Sequence, residues 1–372
     1  MTASPRILMV APMHSHPPDQ GNAARLAAFG AQLQARGALV DLLYYGLEGL
    51  DPGREAAMRG AWDEFHHAPP QPHAPQRFAA WWGLDEWCPD RLCEQVATLH
   101  ARHRYQAVVV NYVWLSRVLE GLHGVARVID THDLFGDRHQ VARRDGIDPS
   151  WYFTSLAEEA RGLARADLVL AIQDEEAEEL RRRTAVPVHT VGHPPSLRFL
   201  HCAPAATPLA RFGLLASGNP WNLLSAQALD AALADAPKLD WLLAGGILGN
   251  PALRLRSSPR RMPAVAEAAD FYAVVECVLN PMQGGTGLKV KTVEALGFGA
   301  PVIGTRAAFA GIGATHPAHQ AADAAALLPF MEEYVAQAGF RRELALASRT
   351  LALRYAAAVD RHYDCLMALL GG

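Results

Sequence analysis

Lysine is nearly missing from this chain: its 372 residues hold 3 lysines against 31 arginines, and two of the three, Lys289 and Lys291, share one short stretch. Charge of one sign is also missing, because 34 basic and 38 acidic residues leave a formal charge of -4. A dedicated nucleic-acid binder carries a basic footprint, so nucleic acid is not an expected partner. Cys88, Cys93, Cys202, Cys277 and Cys365 form neither a CxxC pair nor a dense scaffold, which excludes a zinc ribbon and a disulfide framework and fits a reduced, cytoplasmic setting. The opening MTASPRILMVAPM has too short an apolar run for a signal peptide, and no apolar run of about 18 residues follows. No internal repeat is present. What remains is a composition that is 50% apolar and 19% charged, suited to a large core, over a length that predicts two domains.

Short apolar runs alternate with helix-length segments. Residues 7–11, bounded by Pro5 and Pro12, read as a buried strand, 23–36 as an alanine-rich helix stopped by Gly37, and 39–45 as the next strand. Further strands are expected at 107–110, 127–129 and 168–172, each with room for a crossover helix, which predicts a parallel α/β sheet. Pro194, Pro195, Pro204 and Pro208 then break the pattern as an interdomain linker. It restarts with strands over 212–216, 241–244, 274–279 and 302–303 and helices over 223–233 and 290–296. Tyr355, Val359, Tyr363, Leu366 and Leu370 recur at helical spacing. The expected division is a first α/β domain over 1–200, a second over 201–350 and a terminal helix over 351–372. Residues 69–90, rich in proline and carrying Trp81, Trp82 and Trp87, read as an irregular insertion in the first domain. Those tryptophans are either the insertion's core or a platform for an acceptor or a membrane surface.

The most informative stretch is NPMQGGTGLKVKTVEALGFGAPVIGT, residues 280–305. It leaves an expected strand, passes Gly284, Gly285, Thr286 and Gly287, and enters a helix through Lys289 and Lys291. Ligands of open parallel sheets bind at the carboxyl ends of strands, where a glycine-rich loop lets backbone N–H groups approach a phosphate. Two ammonium groups there would neutralise a diphosphate, and the Glu294 carboxylate can accept two sugar hydroxyls. The stretch is neither GxxxxGK[ST] nor GxGxxG. Read plainly, the same residues make a tight turn followed by exposed helical charge pairs.

A second constellation, VIDTHDLFGDRH, follows a first-domain strand. His132 at a strand's carboxyl end can meet a sugar hydroxyl, while Asp133 serves either the reaction or the next helix as its cap. His14, His16, His132, Asp133 and His139 also supply the residue types of a metal site, though without fixed spacing. Gly21 and Asn22 stand before the first helix, as a loop for a phosphate or an acceptor or as an ordinary cap. Gly218 and Asn219 follow the second domain's first strand in the same way, with Asn222 as a cap or a polar group facing the ligand.

The run GxGLKxKxxEAxxxGxPVIGT resembles the donor-site segment of GT-B glycosyltransferases in the form carried by glycosyltransferase family 4. Weaker similarity, in GNAARLAAFGAQLQARGALVDLLYY, VIDTHD, RADLVLAIQDEEAEELR and GLLASGNPWN, extends over most of the chain. The resemblance implies two Rossmann-like domains facing across a cleft, with the last helix crossing back to the first. It implies transfer of a sugar, with retained configuration and no required metal or other cofactor, from a nucleotide diphosphate sugar of UDP or GDP type to a carbohydrate, lipid-linked or small-molecule acceptor. In that family the glutamate at the Glu294 position binds the ribose, and the loop glycines and lysine face the diphosphate and sugar. A histidine at the His132 position lies near the sugar's reacting face, which assigns His132 and Asp133 to catalysis. Many members carry a second glutamate eight positions before the first; here Thr286 stands there, so sugar contacts fall to backbone groups or Thr286. A sugar-nucleotide epimerase and a non-catalytic nucleotide-sugar-binding subunit share the same pattern.

Overall fold

The computed structural model describes residues 4–149, 151–199, 208–234, 236, 239–263, 265 and 267–371. The chain divides into two compact units, one running to His193 and resuming at Val359, the other spanning Pro194–Ala358. Pro204, within the expected linker, lies outside the described residues.

The first unit is a seven-stranded parallel sheet. Its strands are β1 (Arg6–Ala11), β2 (Leu39–Tyr45), β3 (Phe65–Ala68), β4 (Ala107–Asn111), β5 (Ala126–Asp130), β6 (Leu168–Ala171) and β7 (Val188–Thr190), in the order β3-β2-β1-β4-β5-β6-β7. Helix α1 (Gly21–Ala35) joins β1 to β2 and ends at Gly37, whose φ of 86° an L side chain rarely adopts. Helices α2 (Pro52–Ala61), α3 (Asp90–His103), α4 (Arg138–Arg144), α5 (Leu156–Leu163) and α6 (Asp174–Arg183) fill the other connections except that from β4 to β5, where a 3-10 helix covers Val113–Leu119. The chain moves outward from β1 to β3 and then returns to lay β4 on the other side of β1. The sheet therefore changes direction between β1 and β4, the place where parallel sheets open a ligand crevice.

The second unit repeats the plan with five parallel strands, β8 (Ala210–Leu215), β9 (Trp241–Ala244), β10 (Arg260–Met262), β11 (Val275–Asn280) and β12 (Val302–Gly304), in the order β10-β9-β8-β11-β12. Its switch point lies between β8 and β11. Helices α7 (Pro220–Leu233), α8 (Ala268–Tyr272), α9 (Val290–Gly297) and α10 (Leu328–Ala336) accompany the strands. Phe212, Leu214, Leu229, Trp241, Leu243, Leu279, Ile303 and Met331 belong to its buried core.

The final helix, α11, spans Ala338–Gly371 and so begins well before residue 351. Its residues from Val359 belong to the first unit, where the Tyr363 ring meets Phe29 edge-on at 5.4 Å and Arg36 pairs with Asp360 and Asp364. No described helix is long and apolar enough to cross a membrane. Residues 69–89 contain no helix or strand, as expected of an insertion. Trp87 is buried there, stacked on His73 at 3.9 Å and edge-on to Trp114 at 5.6 Å, so its role is core; Trp81 and Trp82 are half-buried.

Candidate functional site

In the first unit, three connections converge at the carboxyl end of the sheet around the switch point. Asn22 and Arg25 lie one turn apart on α1, Asn111 ends β4 with Tyr112 following, and Asp130 ends β5 with His132 two residues on. Parallel register sets Asn111 beside Asp130. Arg25, 1% exposed, clasps Asp130 through both carboxylate oxygens at 2.8 and 2.9 Å. His132 Nε2 stands 2.8 Å from Asn111 Oδ1 and 3.4 Å from Asp130 Oδ2. Because Asn111 Nδ2 donates to the Val10 carbonyl at 3.0 Å, its Oδ1 is the atom left to accept. His132 therefore carries its hydrogen on Nε2 and keeps a lone pair on Nδ1. Burial, opposed only in part by Asp130, pushes its pKa down to about 4, so the ring is neutral near pH 7.

Backbone strain marks the same spot. His132 has φ 57° and Tyr112 φ 78°, conformations that non-glycine residues adopt only where the surroundings impose them. Their rings lie 4.6 Å apart, and the Tyr112 hydroxyl is hydrogen-bonded to Asn22. Asn22 is thus not the cap of α1. That position falls to Gln20, which offers no side-chain cap, so Gly21 opens the helix with its first turn uncapped by a side chain. Asp133 is likewise not a helix cap: its Oδ1 accepts from Leu134 N at 2.8 Å and its Oδ2 pairs with Arg138 at 3.0 Å, while α4 is capped at Asp137.

His14, after β1, has a carboxylate on each ring nitrogen, Glu48 at 2.6 Å and Asp19 at 3.0 Å, and chiefly the Glu48 hydrogen bond raises its pKa. His139 packs on the Phe153 ring at 5.0 Å. Among the described residues, His14, His16, His132, Asp133 and His139 do not converge as a metal's ligands would.

In the second unit the loops after β8 and β11 meet at the switch point. Asn219 caps α7 by accepting from Asn222 N at 2.8 Å, and Asn222 returns its Nδ2 to Ser217 O at 3.0 Å, so Asn219 and not Asn222 is the cap. Asn250 Nδ2 holds the Gly218 carbonyl at 2.7 Å. On the facing loop, Gly285 and Gly287 have φ of 80° and 73°. A Cβ at Gly285 would lie a tight 3.3 Å from the Trp221 ring of α7, so the positive φ favours glycine there and the crowding adds to it.

Lys289 caps α9 and reaches back to the carbonyls of Thr286 and Gly287 at 3.1 and 3.0 Å, which gathers the glycine loop around an ammonium group. Glu294 lies in the second turn of α9, its Oε1 accepting from the Tyr272 hydroxyl at 2.8 Å and both oxygens from Lys291 at 2.9 and 3.0 Å. The pairing of Lys291 with Glu294 is the helical charge pair of the plain reading. The buried tyrosine, however, makes Glu294 more than a surface charge: Tyr272 is stacked on Phe298 at 4.7 Å, and burial followed by the Glu294 charge raises its pKa strongly. Thr286 Oγ1 is buried without a hydrogen-bond partner. Tyr272, Asn111 and Tyr112 escape a reading of the sequence, since each acquires its role through a neighbour distant along the chain.

No family model matches the chain, and no curated protein matches its sequence. Solved structures match it over its length. Sucrose-phosphate synthase from Thermosynechococcus elongatus is 18% identical with a TM-score of 0.72, covering 98% of this chain and 99% of that one. Anabaena HepE, solved in complex with UDP and with UDP-glucose, is 14% identical with a TM-score of 0.67 over 98% and 99%. A glycosyltransferase from Rickettsia africae is 11% identical with a TM-score of 0.68 over 99% and 98%. At these identities the likeness is one of fold: two parallel-sheet, Rossmann-like units of the GT-B type.

Proposed function

We propose that the chain is a retaining glycosyltransferase that moves a sugar from a nucleoside diphosphate sugar to a carbohydrate, lipid-linked or small-molecule acceptor, with no metal at the donor site. One observation carries the reading. At the second sheet's switch point, a carboxylate fixed by a buried tyrosine and a lysine stands behind a loop that gathers glycines around a second lysine. Glu294 would take two ribose hydroxyls, Lys289, Lys291 and the loop amides would take the diphosphate, and the unpartnered Thr286 hydroxyl would meet the donor. HepE shares the fold and was solved with UDP and UDP-glucose, so uridine is the first base to try.

No carboxylate in the first-unit cluster is available as a nucleophile. Asp130 is engaged by Arg25 and Asp133 by Arg138. The departing diphosphate would therefore take the acceptor hydroxyl's proton as the new bond forms on the same face of the sugar, the lysines and amides stabilising its growing charge. His132 would accept a sugar hydroxyl at Nδ1.

Calorimetric titration of UDP and its sugars tests the donor role. Glu294→Ala should weaken binding about ten- to a hundredfold, the worth of hydrogen bonds to a charged acceptor, with the fold intact. Unchanged affinity would remove the assignment. NMR of the product should show a retained anomeric centre. Interconversion of donor sugars without acceptor would instead indicate an epimerase, and binding without turnover a non-catalytic subunit.

A further inference from the structure

At the opposite, amino-terminal end of the first sheet lies a group of side chains that sugar transfer does not use. Glu64 directly precedes β3, His66 lies on it, and His103 ends α3. Glu64 Oε2 stands 3.6 Å from His66 Nε2 and 3.7 Å from His103 Nε2, and one ligand atom from each residue lies within 4.8 Å of the others. Both separations exceed a hydrogen bond. Both Nε2 atoms are nevertheless buried without a hydrogen-bond partner, and the His103 side chain is only 8% exposed. Leaving a buried ring nitrogen unsatisfied is destabilising, and here two of them lie near one carboxylate oxygen.

Ligand atoms around a tetrahedral zinc, with bonds of ~2.0–2.2 Å, sit about 3.3–3.5 Å apart. The two Glu64–histidine separations are a few tenths of an ångström wider, and the whole set lies within 4.8 Å, a span that side-chain rotations would have to close. The surroundings also fit a metal. Arg6 holds the other oxygen of Glu64 and pairs with Asp41 at 2.8 Å, and Tyr105 donates to Asp41 at 2.7 Å, so the carboxylate is oriented by a fixed outer layer. Arg6, Asp41 and Glu64 together carry one net negative charge, which favours a dication. Two imidazoles and a carboxylate select zinc over magnesium or calcium, which prefer an all-oxygen shell.

We propose that Glu64, His66 and His103 bind zinc, with a fourth position open to water, and that the ion ties the edge strand β3 to the end of α3. β3 is four residues long and hydrogen-bonded to β2 on one side only, so it gains most from such a clamp. The ion would take no part in sugar transfer, since His132 and Asn22 lie at the other end of the strands.

Untagged protein stripped with EDTA and titrated with zinc chloride should bind one zinc per chain at micromolar or lower Kd, with a rise in Tm. Cobalt in place of zinc should give the intense visible bands of a four-coordinate site. His66→Ala and His103→Gln should each weaken zinc binding at least tenfold, while the Kd for UDP stays within twofold. No zinc binding by the wild-type chain would overturn the site, as would binding that both variants leave unchanged. The readout is metal affinity, so it stands or falls separately from sugar transfer.

Discussion

His132 concentrates most of what the first unit's loops achieve. Burial holds it neutral with its pKa near 4, whereas an unfolded histidine titrates near 6.5. Between those values the unfolded chain binds a proton that the folded one refuses, so this residue's contribution is full above about pH 6.5 and is lost as pH falls towards 4. His14 runs the other way. Its raised pKa stabilises the fold below about pH 6.5, an effect lost as pH rises through the folded value. Nitrogen NMR of the folded protein should show His132 with hydrogen on Nε2 and a bare Nδ1 at pH 6; a doubly protonated ring there would contradict the lowered pKa, and hydrogen on Nδ1 alone would contradict the Asn111 contact. His132→Ala should lower kcat roughly ten- to a hundredfold, the worth of a strong hydrogen bond in the transition state, with a smaller change in UDP affinity. A purely structural histidine would instead lower Tm and leave the rate per folded molecule unchanged.

The loop between β11 and α9 depends on two backbone conformations. Gly285→Val would place a branched side chain at φ 80° and against Trp221, a strain of about 1–3 kcal/mol. Gly285 is half-buried and outside the second unit's core, so the expected outcome is at least a tenfold loss of UDP affinity with a Tm shift of only a few degrees. Equal affinity would show that the loop amides do not touch the diphosphate. This element was legible in the sequence because glycines, lysines and glutamate act within ten residues of one another. β2 and β9 were legible too, β9 being buried and apolar along its length and β2 buried after Leu39 and apolar but for Asp41. β3, β7 and β10 were not, since FHHA, VHT and RRM are short edge strands whose histidines and arginines carry no apolar pattern. The network of Arg25, Asn111, Tyr112, Asp130 and His132 was half visible. Asp130 and His132 share a motif, but only parallel register brings Asn111 to them, and only the strained backbone turns Tyr112 towards Asn22.

At the scale of the whole molecule, the first unit is made of two separated pieces of sequence, 4–193 and 359–371, while the second is one continuous piece between them. Val359, Tyr363, Leu366 and Leu370 are buried, each worth about 1.5–3 kcal/mol, a sum comparable with the entire stability of an ordinary domain. A chain ending at residue 358 should lose hydrogen-exchange protection in β1 and α1 and keep it in β8 and β11; uniform loss, or none, would contradict this division. The arrangement also orders events during translation. The first unit begins to emerge from the ribosome before the second, yet the surface around Phe29 and Arg36 stays uncovered until the entire second unit has been synthesised. The half made first is the last to be completed. A nascent chain paused before residue 359 would hold a finished second unit beside an unfinished first one, the state in which a chaperone would find an apolar face to hold.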